Sequence, residues 1–142
     1  MMVRRSRLSG RGVRGTQVAM TSDEARGFAA QWAEAWNSRN IERVLAHFHD
    51  DVEFTSPTAL AVMGTPTVRG KTSLREYWTK ALTRIAALRF SVDRVVWDPD
   101  SRELAIIYAA EIDGKAKRVS ENLRFNAAGQ VAVAEVFHGV AL

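Results

Sequence analysis

The sequence predicts an α+β domain in which N-terminal helices pack on one face of a bent, mainly antiparallel sheet. Three observations carry this expectation. Apolar residues recur at helical spacing as far as Ile85 and alternate with period two from Leu88 onward. The connections in the second half are turn sequences, Asp98-Pro99-Asp100-Ser101, Asp113-Gly114 and Asn126-Ala127-Ala128-Gly129, and Asp-Gly between alternating runs is a strong hairpin signal. Helices followed by a run of strands indicate segregated layers rather than a doubly wound sheet.

The elements follow in order. Thr21-Ser22-Asp23-Glu24 reads as a capping box, with Thr21 as N-cap and Glu24 reaching back. The helix it opens runs to about Ser38, with Ala25, Phe28, Ala29, Trp32, Ala35 and Trp36 on one face. Asn40 can cap a second, shorter helix on which Ile41, Val44, Leu45 and Phe48 recur, and Asp50-Asp51 is expected to end it on the solvent side. Residues 52–56 alternate as a strand with Val52, Phe54 and Ser56 inward until Pro57 stops it. Residues 57–69 read as a long loop carrying Leu60, Val62 and Met63, of the kind that forms lids or rims. Gly70 precedes a third helix whose buried stripe is Leu74, Tyr77, Trp78, Ala81, Leu82 and Ile85. Residues 88–97, 104–112, 115–125 and 131–139 then read as four strands of a meander.

Composition bounds the function. The chain has 142 residues, enough for one domain and one core, with 46% hydrophobic and 25% charged residues. It has no cysteine, which excludes disulfides, thiolate metal sites and cysteine nucleophiles. The net charge of +4 is local. Arg4, Arg5, Arg7, Arg11 and Arg14 lie in the first nineteen residues, which hold no acid, and the remainder has 15 basic against 16 acidic residues. A nucleic-acid footprint needs basic residues clustered on a folded face, so no nucleic-acid partner is expected. Residues 1–20 are expected to be a disordered basic tail. The alternatives are a targeting peptide and an extension upstream of a true start at Met20. No apolar run approaches the roughly 18 residues of a membrane span, and no secretory h-region is present, so a cytoplasmic chain without a membrane partner is expected.

Glu121 is the most informative residue. Val119, Glu121, Leu123 and Phe125 share one face of their strand, which puts a carboxylate in an apolar row. Burial there would raise its pKa into the range useful for proton transfer. The alternative is a structural carboxylate at a wet sheet edge or beside an arginine. His138 alternates with Val136 and Ala134 near the end of the last strand, as a general base, a pocket hydrogen-bonder or a partly exposed strand-end residue. Simple pairing across residues 126–129 sets His138 about four residues beyond Glu121, too far for contact at about 3.3 Å per residue. His47 and His49 fall on different helical faces, and no further His or Cys completes a shell, so no metal is expected. Trp32, Trp36, Trp78 and Tyr108 are core aromatics by default, or walls of a site for a flat apolar ligand.

These segments resemble the nuclear transport factor 2-like superfamily, which includes ketosteroid isomerases and SnoaL-like polyketide cyclases. The residues that carry the resemblance are Trp36-Asn37-Ser38-Arg39-Asn40-Ile41, residues 48–57, Val68-Arg69-Gly70-Lys71 leading into Leu74-Arg75-Glu76-Tyr77-Trp78, and residues 123–129. It covers roughly residues 21 to 139 and makes 21–142 a single SnoaL-like domain. It implies a cone-shaped half-barrel with a deep pocket, often a homodimer through the outer face of the sheet, and it implies no metal or organic cofactor. Laid onto ketosteroid isomerases, the catalytic tyrosine falls on Trp32, the aspartate base on Ser56 and the oxyanion-hole aspartate on Glu121. Only the last keeps an acid. Ser56 needs an activator to act as a base, so steroid isomerisation by that mechanism is not expected.

Two functions follow as expectations. One is an acid–base enzyme, an isomerase, cyclase or dehydratase, acting on a small hydrophobic molecule. Its catalytic residues would be Glu121 and His138, and its substrate contacts Trp32, Trp36, Phe54, Ser56, Trp78 and Tyr108. The other is a non-catalytic ligand-binding or assembly module of the same fold.

Overall fold

The computed structural model describes residues 20–142. The expected tail, residues 1–20, lies outside the described residues except for Met20. Four helices and six strands follow in the order α1 (Ser22–Asn37), α2 (Ile41–Leu45), β1 (Phe48–Thr55), α3 (Pro57–Met63), β2 (Thr67–Arg69), α4 (Lys71–Leu82), β3 (Leu88–Asp98), β4 (Glu103–Ile112), β5 (Lys115–Phe125) and β6 (Val131–Ala141). The strands form one mixed sheet in the order β2-β1-β6-β5-β4-β3. All neighbours are antiparallel except β1 and β6, which run parallel. The sheet is open, and the helices pack into its concave side as a cone-shaped α+β fold. No helix among the described residues is long and apolar enough to cross a membrane.

Side-chain-to-backbone bonds set the helix ends. Thr21 Oγ1 accepts from the Glu24 amide at 3.1 Å, while Glu24 Oε1 accepts from the Thr21 amide at 2.8 Å, completing the capping box. The residues after Trp36 tie three elements together. Asn37 exchanges two hydrogen bonds with the backbone of Phe90 on β3, at 3.0 and 2.7 Å. Arg39, at φ +59°, sends its guanidinium to the carbonyls of Leu82, Ile85 and Ala86 at 3.3, 3.0 and 3.1 Å and so ties down the C-terminal end of α4 and the connection that follows it. Asn40 Oδ1 caps α2 by accepting from the Arg43 amide at 3.1 Å. Much of the motif Trp36 to Ile41 is therefore structural.

Two expectations are corrected. The second helix ends at Leu45, and Phe48, Asp50 and Asp51 belong to β1 rather than to a helix and its end. The helical spacing of Ile41, Val44, Leu45 and Phe48 continues by coincidence into the strand. Pairing with the last strand decides the matter: His47 accepts from the Val131 amide at 2.8 Å, and Phe48 lies opposite Val131. Asp50 and Asp51 face solvent from the strand. Residues 57–69 are not a loop but α3 followed by β2. Ser56 Oγ caps α3 from the Thr58 amide at 3.2 Å, Pro57 occupies its first turn, and Gly64 at φ +81° ends it in the left-handed region.

Four irregularities in pairing bend the sheet: between Phe48 and Glu53 opposite β6, at Asp93 in β3, between Lys117 and Val119 opposite β6, and between Arg124 and Phe125. The core lies between sheet and helices, with Leu45, Phe48, Leu74, Leu104, Ile106 and Leu123 fully buried.

Candidate active site

Period-two alternation puts one row of each meander strand on the concave face. Ile106, Tyr108 and Ala110 of β4 lie opposite Glu121, Val119 and Lys117 of β5, and on β6 Val136 and His138 lie opposite Glu121 and Val119. Across the hollow stand Trp36 of α1 and Tyr77, Trp78 and Ala81 of α4, with Phe54 and Ser56 from the end of β1. These surfaces enclose a cavity of about 130 Å³ that opens to solvent. That is close to the roughly 150 Å³ apolar cavity that takes up benzene. Its wall is fully buried around Phe54, Ser56 and Glu121 and half-exposed around Ile85, Leu88, Ile112 and Lys117, with His138 exposed beyond them.

Glu121 and Ser56 are the two buried polar residues among those described, at 5% and 3% exposure. Burial pushes the Glu121 carboxyl up to about 7, and the Tyr108 hydroxyl, which donates to its Oε1 at 3.1 Å, pulls in the opposite direction. No salt bridge reaches this carboxylate among the described residues. Burial first, and then the charge of Glu121, holds the Tyr108 phenol well above its usual value. Burial takes the Tyr77 phenol up to about 12, against the pull of the neighbouring Ser56 hydroxyl. Both phenols therefore remain protonated donors across the working range of pH. Ser56 caps α3, and among the described residues no carboxylate or imidazole hydrogen-bonds to its hydroxyl, so it is a hydrogen-bonding group rather than a nucleophile.

His138 requires a correction. It lies opposite Val119, two residues from the partner of Glu121 rather than about four. On one face this is about 7 Å along the sheet. Hydrogen bonding across residues 126–129 and the irregularity at Arg124/Phe125 reset the register that simple hairpin counting gives. His138 Nδ1 meets Lys117 Nζ at 3.3 Å, not Glu121. Partial burial, and then the Lys117 charge, keeps the imidazole below its usual value, so it is neutral at physiological pH.

Trp36, Phe54, Ser56, Trp78, Tyr108, Glu121 and His138 all border the cavity. Trp32 stands behind that wall. It stacks on Phe90 at 5.6 Å, meets Tyr108 edge-on at 5.0 Å, and leaves its buried indole Nε1 without a partner. His47 meets the edge of Phe28, and no group of three metal-ligating side chains occurs among the described residues. Lys117 and Tyr77 went unselected as site residues in the sequence. The alternation that singled out Glu121 passes through Lys117 four residues earlier, so extending the row would have found it.

A helix-backed sheet with a cavity on its concave side, bordered by Glu121, Lys117 and His138, defines a class of small pocket domains. The profile of the SnoaL-like domain family matches residues 29–138, and the chain belongs to that family. Among solved structures, a SnoaL-like protein of unknown function from Burkholderia thailandensis is 26% identical, with a TM-score of 0.76 over 87% of this chain and 100% of that one. TerC, crystallised with polyporic acid, is 16% identical, with a TM-score of 0.66 over 80% of this chain and 91% of that one. A nuclear transport factor 2-like protein of unknown function from Cytophaga hutchinsonii is 12% identical, with a TM-score of 0.60 over 87% of this chain and 94% of that one. The last two likenesses speak to fold alone. No curated protein matches the chain by sequence.

Proposed function

We propose that the chain is an acid–base enzyme of the isomerase, cyclase or dehydratase type, acting on a small, largely apolar molecule, with Glu121 as the group that moves the proton. One observation carries the proposal: a carboxyl that has no cationic partner among the described residues, buried in a largely apolar wall and poised near neutral pH. A proton donor or acceptor works best when its pKa lies close to the working pH. Tyr108 fixes one carboxyl oxygen and leaves the other to face the substrate. Tyr77 and Ser56 would hydrogen-bond a substrate oxygen, Trp36, Phe54 and Trp78 would hold the carbon skeleton, and Trp32 would act through Tyr108. That a protein of similar fold was crystallised with polyporic acid supports a small-molecule occupant.

The test is a carboxyl NMR titration of the protein labelled with ¹³C-glutamate. Glu121 is expected to titrate near pH 7. A midpoint near the ordinary glutamate value of about 4.3 would withdraw the catalytic assignment. The second reading, a ligand-binding module without turnover, would then stand, and the cap role of Ser56 where an isomerase has its base favours it.

A further inference from the structure

We propose that Lys117 and His138 form an anion-recognition pair at the half-exposed end of the pocket, so that the molecule held there carries a planar oxyanion, a carboxylate or an acidic enol or phenol, at one end of an apolar body. This rests on the pocket reading above and adds the chemical class of the ligand and the residues that select it.

Lys117 belongs to the same inward row as Val119 and Glu121, and it borders the cavity from a half-buried position. Its neighbours across the sheet are Ala110 and Ala141, neither of which can meet a charge. Among the described residues it makes no salt bridge, and its recorded polar partner is His138. Asp113, the acid in the turn before β5, commits Oδ1 to the amides of Ala86 and Ala87 at 2.9 and 2.8 Å. Glu111 sits on the outer row of β4, opposite Ala116. A cation that borders the cavity with no acid in contact with it among the described residues favours an anion at that end of the cavity.

His138 adds direction. A lysine ammonium can only donate, so Nδ1 at 3.3 Å is the acceptor and the imidazole proton belongs on Nε2. The pair thus offers ammonium N–H groups and one imidazole N–H. The pairing irregularity between Lys117 and Val119 sets Lys117 opposite Ala141 instead of residue 140. Gly139, beside it, lies so close to the Arg118 carbonyl that a Cβ there would approach to 3.1 Å. Along β5 the ammonium's residue is four positions from Glu121, roughly 13 Å of strand. One or two aromatic rings, partly held in the cavity and partly in its open mouth, place the oxyanion at Lys117 and turn the apolar end toward Glu121, where a second anion would be repelled.

Isothermal titration with a matched pair of probes, 2-naphthoate and 2-naphthamide, tests the inference on the full chain at pH 7. The two share shape and differ in charge. The native protein is expected to bind the carboxylate at least tenfold more tightly than the amide. Lys117→Met, which keeps the apolar stem, is expected to bring the ratio near one with the amide affinity unchanged, and Lys117→Arg is expected to retain the preference. Equal affinities for both probes in the native protein, or a preference that survives in Lys117→Met, overturns the anion assignment and leaves the pocket reading in place. Failure of both probes to bind overturns the pocket reading and the anion assignment with it.

Discussion

Between pH 4.5 and about 7, the folded chain holds a proton on Glu121 that an exposed glutamate has released. Because the folded state binds the additional proton, the stability linked to this residue is fully present below pH 4.5 and falls as the pH rises through 7. The loss is on the order of 3 kcal/mol by pH 8.5, when the carboxylate is ionised in its apolar wall. Glu121→Gln, which retains an acceptor for the Tyr108 hydroxyl but cannot ionise, is expected to melt close to the native protein at pH 5 and several degrees above it at pH 8.5. Thermal melts at the two pH values check this, and a constant difference between the proteins would argue against a titrating carboxyl at this position. The inward placement of Glu121 was legible in the sequence because a strand's period is two and its neighbours Val119 and Leu123 are apolar. The position of His138 was not, because register depends on irregular pairing that leaves no mark on the alternation of either strand.

The segment from Asn37 to Asn40 does its work between elements. Arg39 closes the Leu82 carbonyl at the end of α4, the helix that carries Tyr77 and Trp78 into the pocket wall, and the Ile85 and Ala86 carbonyls just after it. Arg39→Ala is expected to cost about 1–2 kcal/mol, as charge-assisted bonds to carbonyls are lost, and to lower the melting temperature by a few degrees. Amide exchange should quicken most in the last turn of α4, and an effect spread evenly over the domain would contradict the capping role. Other elements show why local signals compete. Ser56-Pro57 carried both a cap and a first-turn proline, yet the apolar residues after it read as a loop because a seven-residue helix spans too few turns for periodicity to register. Phe48 misled in the opposite way, since its spacing fitted a helix while its backbone was claimed by β6.

At the scale of the molecule, layer order and element type could be read from the change of period near Leu88, and the family resemblance supplied the cone. The mixed sheet could not be read locally, because the contact between β1 and β6 joins residues some eighty positions apart. The hollow itself has a cost that can be measured. Ala110→Leu places three more carbons in the cavity and is expected to leave stability unchanged or raise it by up to about 2 kcal/mol. The same variant should weaken 2-naphthamide binding at least tenfold. Chemical denaturation and titration calorimetry together check this, and a variant that loses both stability and binding would indicate a filled interior instead.

The sheet order also bears on assembly. The segment Val131–Ala141, the last to be synthesised among those described, is inserted between the first strand and the hairpin before it. A nascent chain lacking this keystone has two half-sheets, each with a naked edge and an uncovered apolar face. Association of such half-made chains competes with folding until the final strand docks, so the slow, sequence-distant step is also the one that protects the protein from its own copies.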